Sequence, residues 1–332
     1  MKQLIQKLVE TTGPSGYEQA VRDVVRAEIE GLADEIRVDA LGNLIARKGQ
    51  KADGGARIML SAHMDEIGVI VTHIDEKGFV RFTTVGGVRP HTCIGGRVKF
   101  LDGTSGIIYM ERPESASQLP GIDNLYIDVG ATSREDCPVK VGDVAAFERP
   151  FLDLGGRLVS KAMDDRISVA VLIEAMRQAE TGPNEVYFVF STQEEVGLRG
   201  ATTAAYGVDP DIGVAVDVTG TGDTPKGGRM EVALGGGPAI KVRDGGMLAD
   251  PRIVRWMVQT AEKAGLPYQM EVLEGGTTDA RAIQLTRAGV PSGCMSIPTR
   301  YIHSPSEMVD FGDVQNSVKL LAALISQPVE LG

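Results

Sequence analysis

The sequence predicts an α/β protein in which a mixed central sheet with flanking helices is interrupted by a small β-barrel-like inserted domain. Helix and strand patterns alternate over the first 65 residues and again from residue 157, whereas residues 66–156 hold only short alternating runs. The 332 residues, 42% hydrophobic and 24% charged, suffice for two packed domains at about 150 residues each.

The N-terminal segment reads as helices. Ser15 and Glu18 have the spacing of a capping box, Val21, Val24, Val25 and Ile29 mark one helical face, and Gly31 stops it. Residues 57–62 (RIMLSA) form a β-like run that ends at His63. The runs GVIVTHID, GFVRFTTV, GRVKFL, GIIYM and NLYIDVG then follow, punctuated by glycine and by Asp102-Gly103, which predicts a closed or barrel-like sheet. Beyond it come a helix at 166–180 and strands at 185–191 and 212–218. Asp250 and Pro251 take the N-cap and first position of a helix that Gly265 ends, and further helices are expected at 279–288 and 313–325. The simplest topology is one α/β domain, residues 1–65 plus 157–332, carrying an inserted β-domain at 66–156.

The 34 Lys and Arg against 45 Asp and Glu leave a net charge of −11, which repels phosphate backbones and anionic lipid, so no nucleic-acid or membrane partner is expected. Cys93, Cys137 and Cys294 are odd in number and contain no C-x-x-C pair, which fits a reducing compartment. The opening MKQLIQKLVETTG has no uninterrupted apolar core of a signal peptide, and no apolar run approaches the roughly 18 residues of a membrane span. A cytoplasmic location is the expectation.

The chemistry-bearing residues lie at the carboxyl ends of expected strands, where open α/β sheets place their ligands. His63 and Asp65 close RIMLSA, Glu194 and Glu195 close VYFVFST, Asp217 closes IGVAVD, His303 follows CMSIPTRYI, and Asp164 and Asp165 stand before a helix. Each alone has a structural reading: a hydrogen-bonded strand-end imidazole, a pair of helix N-terminal charges, a solvated loop. Together, two of only four histidines and four acidic clusters fall where one sheet would gather them. Imidazole with carboxylate and no thiolate suits zinc, cobalt or manganese, and the surplus of acids suits two ions sharing a bridging carboxylate. No G-x-S-x-G elbow, P-loop or complete dinucleotide fingerprint is present.

The ordered strings HMDE, KAMDDR, QEEVGLRGA, DVTGTGDTP and IPTRYIHSP, with NLYIDVGA in the insert, resemble the co-catalytic di-metal aminopeptidases of the glutamyl and tetrahedral (TET) aminopeptidase family. The resemblance implies a di-zinc exopeptidase-like fold. It also implies that His63, Asp164 and Asp217 hold one ion and Asp164, Glu195 and His303 the other. Asp164 would be the bridge and the Asp164–Asp165 bond cis. Glu194 matches the general base and Asp65 the carboxylate that orients His63. Zinc is the first expectation, with cobalt or manganese as alternatives. The implied partners are short peptides with a free N-terminus and further copies of the chain, dimers that the insert joins into tetrahedral dodecamers.

The glycine-rich strings at Gly235 and Gly275 read as turns near the site, with Thr277 and Asp279 either capping a helix or lining the cleft. Thr278 is additional to the family's usual GGTDA-like string. Arg300 and Tyr301 flank a ligand and suit shaping of the site, while Arg89 and His91 read as interface or surface residues. Competing readings are an N-acyl amino-acid deacylase or carboxypeptidase on the same ligands, a glycoside hydrolase using Glu194 and Glu195, and a non-catalytic peptide-holding assembly. The glycosidase reading suffers because its carboxyls must flank a sugar, which adjacent residues do poorly.

Overall fold

The computed structural model describes residues 1–112 and 119–331, so residues 113–118 of the expected insert and residue 332 of the outer segment lie outside the described residues. Four strands run parallel at the centre of the large sheet, in the order Glu185–Ser191, Arg57–His63, Ile212–Thr219 and Ser292–Arg300. Each is an almost unbroken run of buried residues, as a strand covered on both faces must be. Their pairing sets Ser191 opposite His63 and Asp217 opposite Ser296, so the carboxyl ends finish side by side. Antiparallel strands extend both edges: Leu44–Lys48 and Glu35–Val38 on one side, Glu307–Asp310, Arg157–Ser160 and Leu152–Asp153 on the other. Ala239–Arg243 and Gln269–Val272 form a side branch on the Ser292–Arg300 strand.

The sequence alternation between residues 66 and 156 does close on itself. Gly68–Ile74, Val80–Val85, Arg97–Phe100, Ser105–Met110, Leu125–Asp128 and Val144–Glu148 make a closed six-stranded barrel. Along Arg97–Phe100 the pattern is outward Arg97 and Lys99, inward Val98 and Phe100, and the inward residues of all six strands pack into their own apolar core. The α/β architecture with a barrel-like insert is therefore what the chain adopts.

Several local expectations change. The helix expected at 166–180 spans Met163–Gln178, but Asp164 and Asp165 have non-helical dihedrals and a cis peptide bond between them, so they stand before the regular helix as expected, and its far end stops at Gln178. The helix expected at 279–288 stops at Gln284, and a turn with Arg287 at φ +49° leads into the next strand. The final helix starts earlier, at Phe311, because the Asp310 side chain accepts from the N–H groups of Gly312 and Asp313. The Ser15–Glu18 capping box does not form. The helix is Gln19–Ile29, Ser15 Oγ instead donates to Asp65 at 2.6 Å, and Glu18 Oε1 accepts from Gly16 and Gln193. No helix among the described residues is long and apolar enough to cross a membrane.

A fully buried Arg166 joins these parts. Its guanidinium donates to the carbonyls of Leu8 (2.8 Å), Thr11 (2.9 Å), Gly13 (3.1 Å) and Met64. It also faces Glu66 at 3.5 Å, whose two oxygens take Lys161 Nζ at 2.9 and 2.7 Å. Arg166→Met strips the carbonyls of their donor and leaves Glu66 with one cation instead of two. It is expected to cost about 3–5 kcal/mol, the usual consequence of removing one partner from a buried ion pair. A urea midpoint unchanged from the native protein would refute this.

Candidate metal centre

His63 ends its strand 2% exposed, with Nε2 3.0 Å from Asp164 Oδ1 and 3.9 Å from Glu194 Oε2. His303 comes from the connection between the Ser292–Arg300 and Glu307–Asp310 strands, its Nε2 3.1 Å from Glu195 Oε1 and 3.3 Å from Asp164 Oδ2. Asp164 thus turns one oxygen to each imidazole. Donor atoms of His63, Asp164 and Glu195 lie within 4.8 Å of one another, as do those of His63, Asp165 and Asp217. The second grouping contains Asp165, which the sequence reading noted but did not assign; its Oδ2 accepts the His63 backbone N–H at 3.2 Å and its Oδ1 has no hydrogen-bond partner.

Asp65, completely buried, does more than face His63 Nδ1 at 3.4 Å. It accepts from Ser15 Oγ at 2.6 Å and from the backbone N–H groups of Glu194 (3.0 Å) and Glu195 (3.2 Å), so one carboxylate holds both the imidazole and the turn carrying the two glutamates. The His63 Nδ1 also lies 3.0 Å from the Asp65 carbonyl oxygen. Glu307, which sequence reading missed, does similar work on the other side. Its Oε2 accepts the Asp164 N–H at 2.9 Å and its Oε1 the His303 N–H at 2.8 Å. No local pattern marks it, since it follows His303 in an unremarkable SPSEM stretch.

The charges decide what the cluster can hold. Burial, then the neighbouring carboxylates, raises Glu194 and Asp165 well above the usual carboxylate range and pushes Asp217 up to about 8. Burial also acts to raise Asp164, but the hydrogen bonds to His303 and His63 outweigh it and hold that carboxyl low. Burial opposes charge on the imidazoles too, yet Asp164 and the flanking carboxylates lift His63 well above its ordinary value and His303 to about 11. These shifts favour protonated imidazoles facing the carboxylates, with Lys241 acting on Asp217 as well. A divalent ion would displace those protons and offset the surplus acid, so the donor set fits metal.

The cluster opens onto a cavity of about 810 Å³ lined also by Thr277, Thr278, Arg300 and Tyr301. Arg300 is held by a two-pronged bond to Asp223 at 2.9 and 2.6 Å. Thr278 caps the Asp279–Gln284 helix. Asp279 lies behind the wall, where its Oδ2 takes both Ser61 Oγ and Ser191 Oγ at 2.6 Å and ties together the strands that end in His63 and Ser191. The barrel touches the site through Gly86 and Gly87: a Cβ on Gly87 would collide with the His303 ring, and one on Gly86 would press on Glu195 at 3.0 Å. His91 stands apart on the short Pro90–Cys93 helix and His73 is on a barrel strand, but Arg89, at the N-cap position of that helix, lines the same cavity as the cluster rather than serving only as a surface residue.

Carboxylates and imidazoles gathered at the carboxyl end of a mixed sheet, beside a cavity of this size, have the donor set and placement of a metal-dependent hydrolase. Residues 42–320 match the family described as M42 glutamyl aminopeptidase. A lysyl aminopeptidase of Pyrococcus furiosus is 37% identical, the alignment covering 98% of this chain and 96% of that one. An aminopeptidase of the archaeon Desulfurococcus kamchatkensis superposes with a TM-score of 0.94 at 42% identity, over 98% of this chain and 94% of that one. The TET1 peptidase of Pyrococcus horikoshii, described as able to assemble into a tetrahedron or a large octahedral shell, gives 0.89 at 34% identity over 98% and 99%. The chain belongs to the M42 glutamyl aminopeptidase family, and it is an aminopeptidase.

Proposed function

We propose that the protein releases N-terminal residues from short peptides by metal-dependent hydrolysis, with Glu194 as general base. His63, Asp164 and Asp217 would hold one divalent ion and Asp164, Glu195 and His303 the other, with Asp165 close enough to His63 and Asp217 to share the first site. Zinc is the first candidate, cobalt and manganese the others. When bound, such ions polarise the scissile carbonyl and make water more acidic. Asp65 fixes the His63 ring and Glu307 holds the backbone of Asp164 and His303, so the donors are set before substrate arrives.

Glu194 supplies the proton transfers. Its carboxylate is at the cavity wall with Oε2 3.9 Å from His63 Nε2, within one water of the ligands, and its backbone is pinned by Asp65. It takes a proton from the attacking water and returns it to the departing amine, so no covalent intermediate is required. The observation that carries this reading is the convergence of residues 63, 164, 195 and 303 on one point beside Glu194. A spare cluster carboxylate facing the cavity suits a free α-amine, which restricts cleavage to the first peptide bond.

The protein is further proposed to be cytoplasmic and to assemble through its barrel, as dimers joined into a tetrahedral dodecamer. The half-exposed Ile107 and Tyr109 on the outer barrel face support this, as does the assembly described for the TET1 peptidase. The deciding experiment is release of the first residue from acidic, basic and aliphatic peptides, free and N-acetylated, before and after chelation. Cleavage of free peptides alone, lost on chelation, is expected. Cleavage of the acetylated set would favour a deacylase, and no cleavage at all would favour a peptide-holding assembly.

A further inference from the structure

The turn that leaves the Glu185–Ser191 strand presents four consecutive backbone N–H groups, and each is taken by a side-chain oxygen from elsewhere in the chain. Thr192 donates to Asn43 Oδ1 at 3.0 Å, Gln193 to Glu18 Oε1 at 3.1 Å, Glu194 to Asp65 Oδ1 at 3.0 Å and Glu195 to Asp65 Oδ2 at 3.2 Å. Gln193 has φ +54°, a left-handed conformation that a non-glycine residue keeps only where its surroundings hold it. Glu18 is 4% exposed and makes no side-chain cap on its own helix. Both of its recorded bonds, from Gln193 and from Gly16 at 2.7 Å, fall on Oε1.

We propose that Glu18 is a positioning residue for the hydrolysis, holding Gln193 in its left-handed turn so that Glu194 leaves the strand end in the direction the reaction needs. Asp65 restrains the two peptide N–H groups after Gln193, and Asn43 the one before it. Glu18 holds the intervening one, at the residue with the left-handed backbone. Without it a part-buried N–H loses its acceptor and Gln193 loses what keeps it left-handed, so Glu194, the next residue, loses its aim, while Glu195 stays tied through its N–H to Asp65 and through its carboxylate to His303. Ser15, in the same short segment, donates to Asp65 from the other side, so residues 15–18 grip the turn at two points. The proposal rests on the reading of Glu194 as the base.

The test is steady-state kinetics on the best free peptide, with metal content measured, for the metal-loaded Glu18→Ala, Glu18→Gln and Glu18→Asp enzymes. Glu18→Ala is expected to lower kcat by about 10- to 100-fold, the cost of a sub-ångström to ångström misplacement, with KM and metal content little changed. Glu18→Gln keeps a carbonyl oxygen at the same reach and is expected to stay within about threefold of native kcat, whereas Glu18→Asp, one methylene short, falls with alanine. Native kcat in Glu18→Ala, a loss shared equally by Gln, or a loss that tracks metal content would each overturn the proposal. Should the alanine enzyme not fold, glutamine outperforming aspartate still supports it, and the reverse order overturns it. Turnover surviving in Glu194→Gln would overturn the base reading. A native-like Glu18→Ala beside an inactive Glu194→Gln would overturn the Glu18 proposal alone.

Discussion

Replacing Glu194 by glutamine is expected to lower kcat by about 10²- to 10⁴-fold, the range attributed to a single positioned acid or base. The substitution keeps shape and reach, and the turn is held through its backbone N–H groups by Asp65, so the geometry of the neighbours should survive. What disappears is the ability to accept a proton from water and give it to the leaving amine. Metal content should stay at the native level because Glu195, not Glu194, stands in the donor set with His63 and Asp164. Single-turnover rates with parallel metal analysis check both parts. A loss of activity explained by lost metal would move Glu194 from base to ligand.

Stripping the metal should have an effect of similar size on rate and an additional one on stability. Lewis-acid stabilisation of several kcal/mol corresponds to roughly three orders of magnitude in turnover, so chelated protein should show almost none until zinc, cobalt or manganese is returned. Asp164 and Glu195 beside His63, and Asp165 and Asp217 beside the same imidazole, then have the two imidazoles and, for Asp217, Lys241 to offset them. Ions that bind the folded state alone stabilise it by mass action, so the thermal midpoint should fall on chelation and recover on reloading. Asp164→Asn, which weakens the carboxylate facing both imidazoles, should reproduce the loss and resist rescue at ordinary metal concentrations. Full activity in metal-free protein would remove the metal-dependent reading.

Much of this was legible in the sequence because burial and chemistry leave different marks on the same strands. RIMLSA, VYFVFS and IGVAV read as strands, and although an acid or histidine after one such run has an ordinary structural reading, several of them at the ends of strands of one sheet point to a site. Glu18, Asn43, Ser15 and Glu307 were not legible as parts of the site. The first three reach partners 50 to 175 residues away, and no local rule reports such a contact. Ser15 and Glu18 show the failure directly: their spacing suits a helix cap, and a tertiary partner outcompeted it. The short strands at Glu35–Val38, on the sheet edge, and Glu307–Asp310, inside the sheet, were invisible because four residues carry too little periodicity. Asp165 was seen but read as a companion of Asp164, since its nearness to His63 and Asp217 depends on the dihedrals of that one turn.

The order of strands in the sheet also bears on synthesis. His63, Asp164, Glu195 and Asp217 all leave the ribosome before the Ser292–Arg300 strand, and that strand must pair along Ile212–Thr219 before His303 can reach Asp164. Contacts of such separation close late in folding. A nascent chain can therefore build its barrel and most of its sheet while its peptide-cutting centre still lacks one wall. If His303 holds metal as proposed, the enzyme would stay inert beside other half-made polypeptides until its own translation has passed that residue.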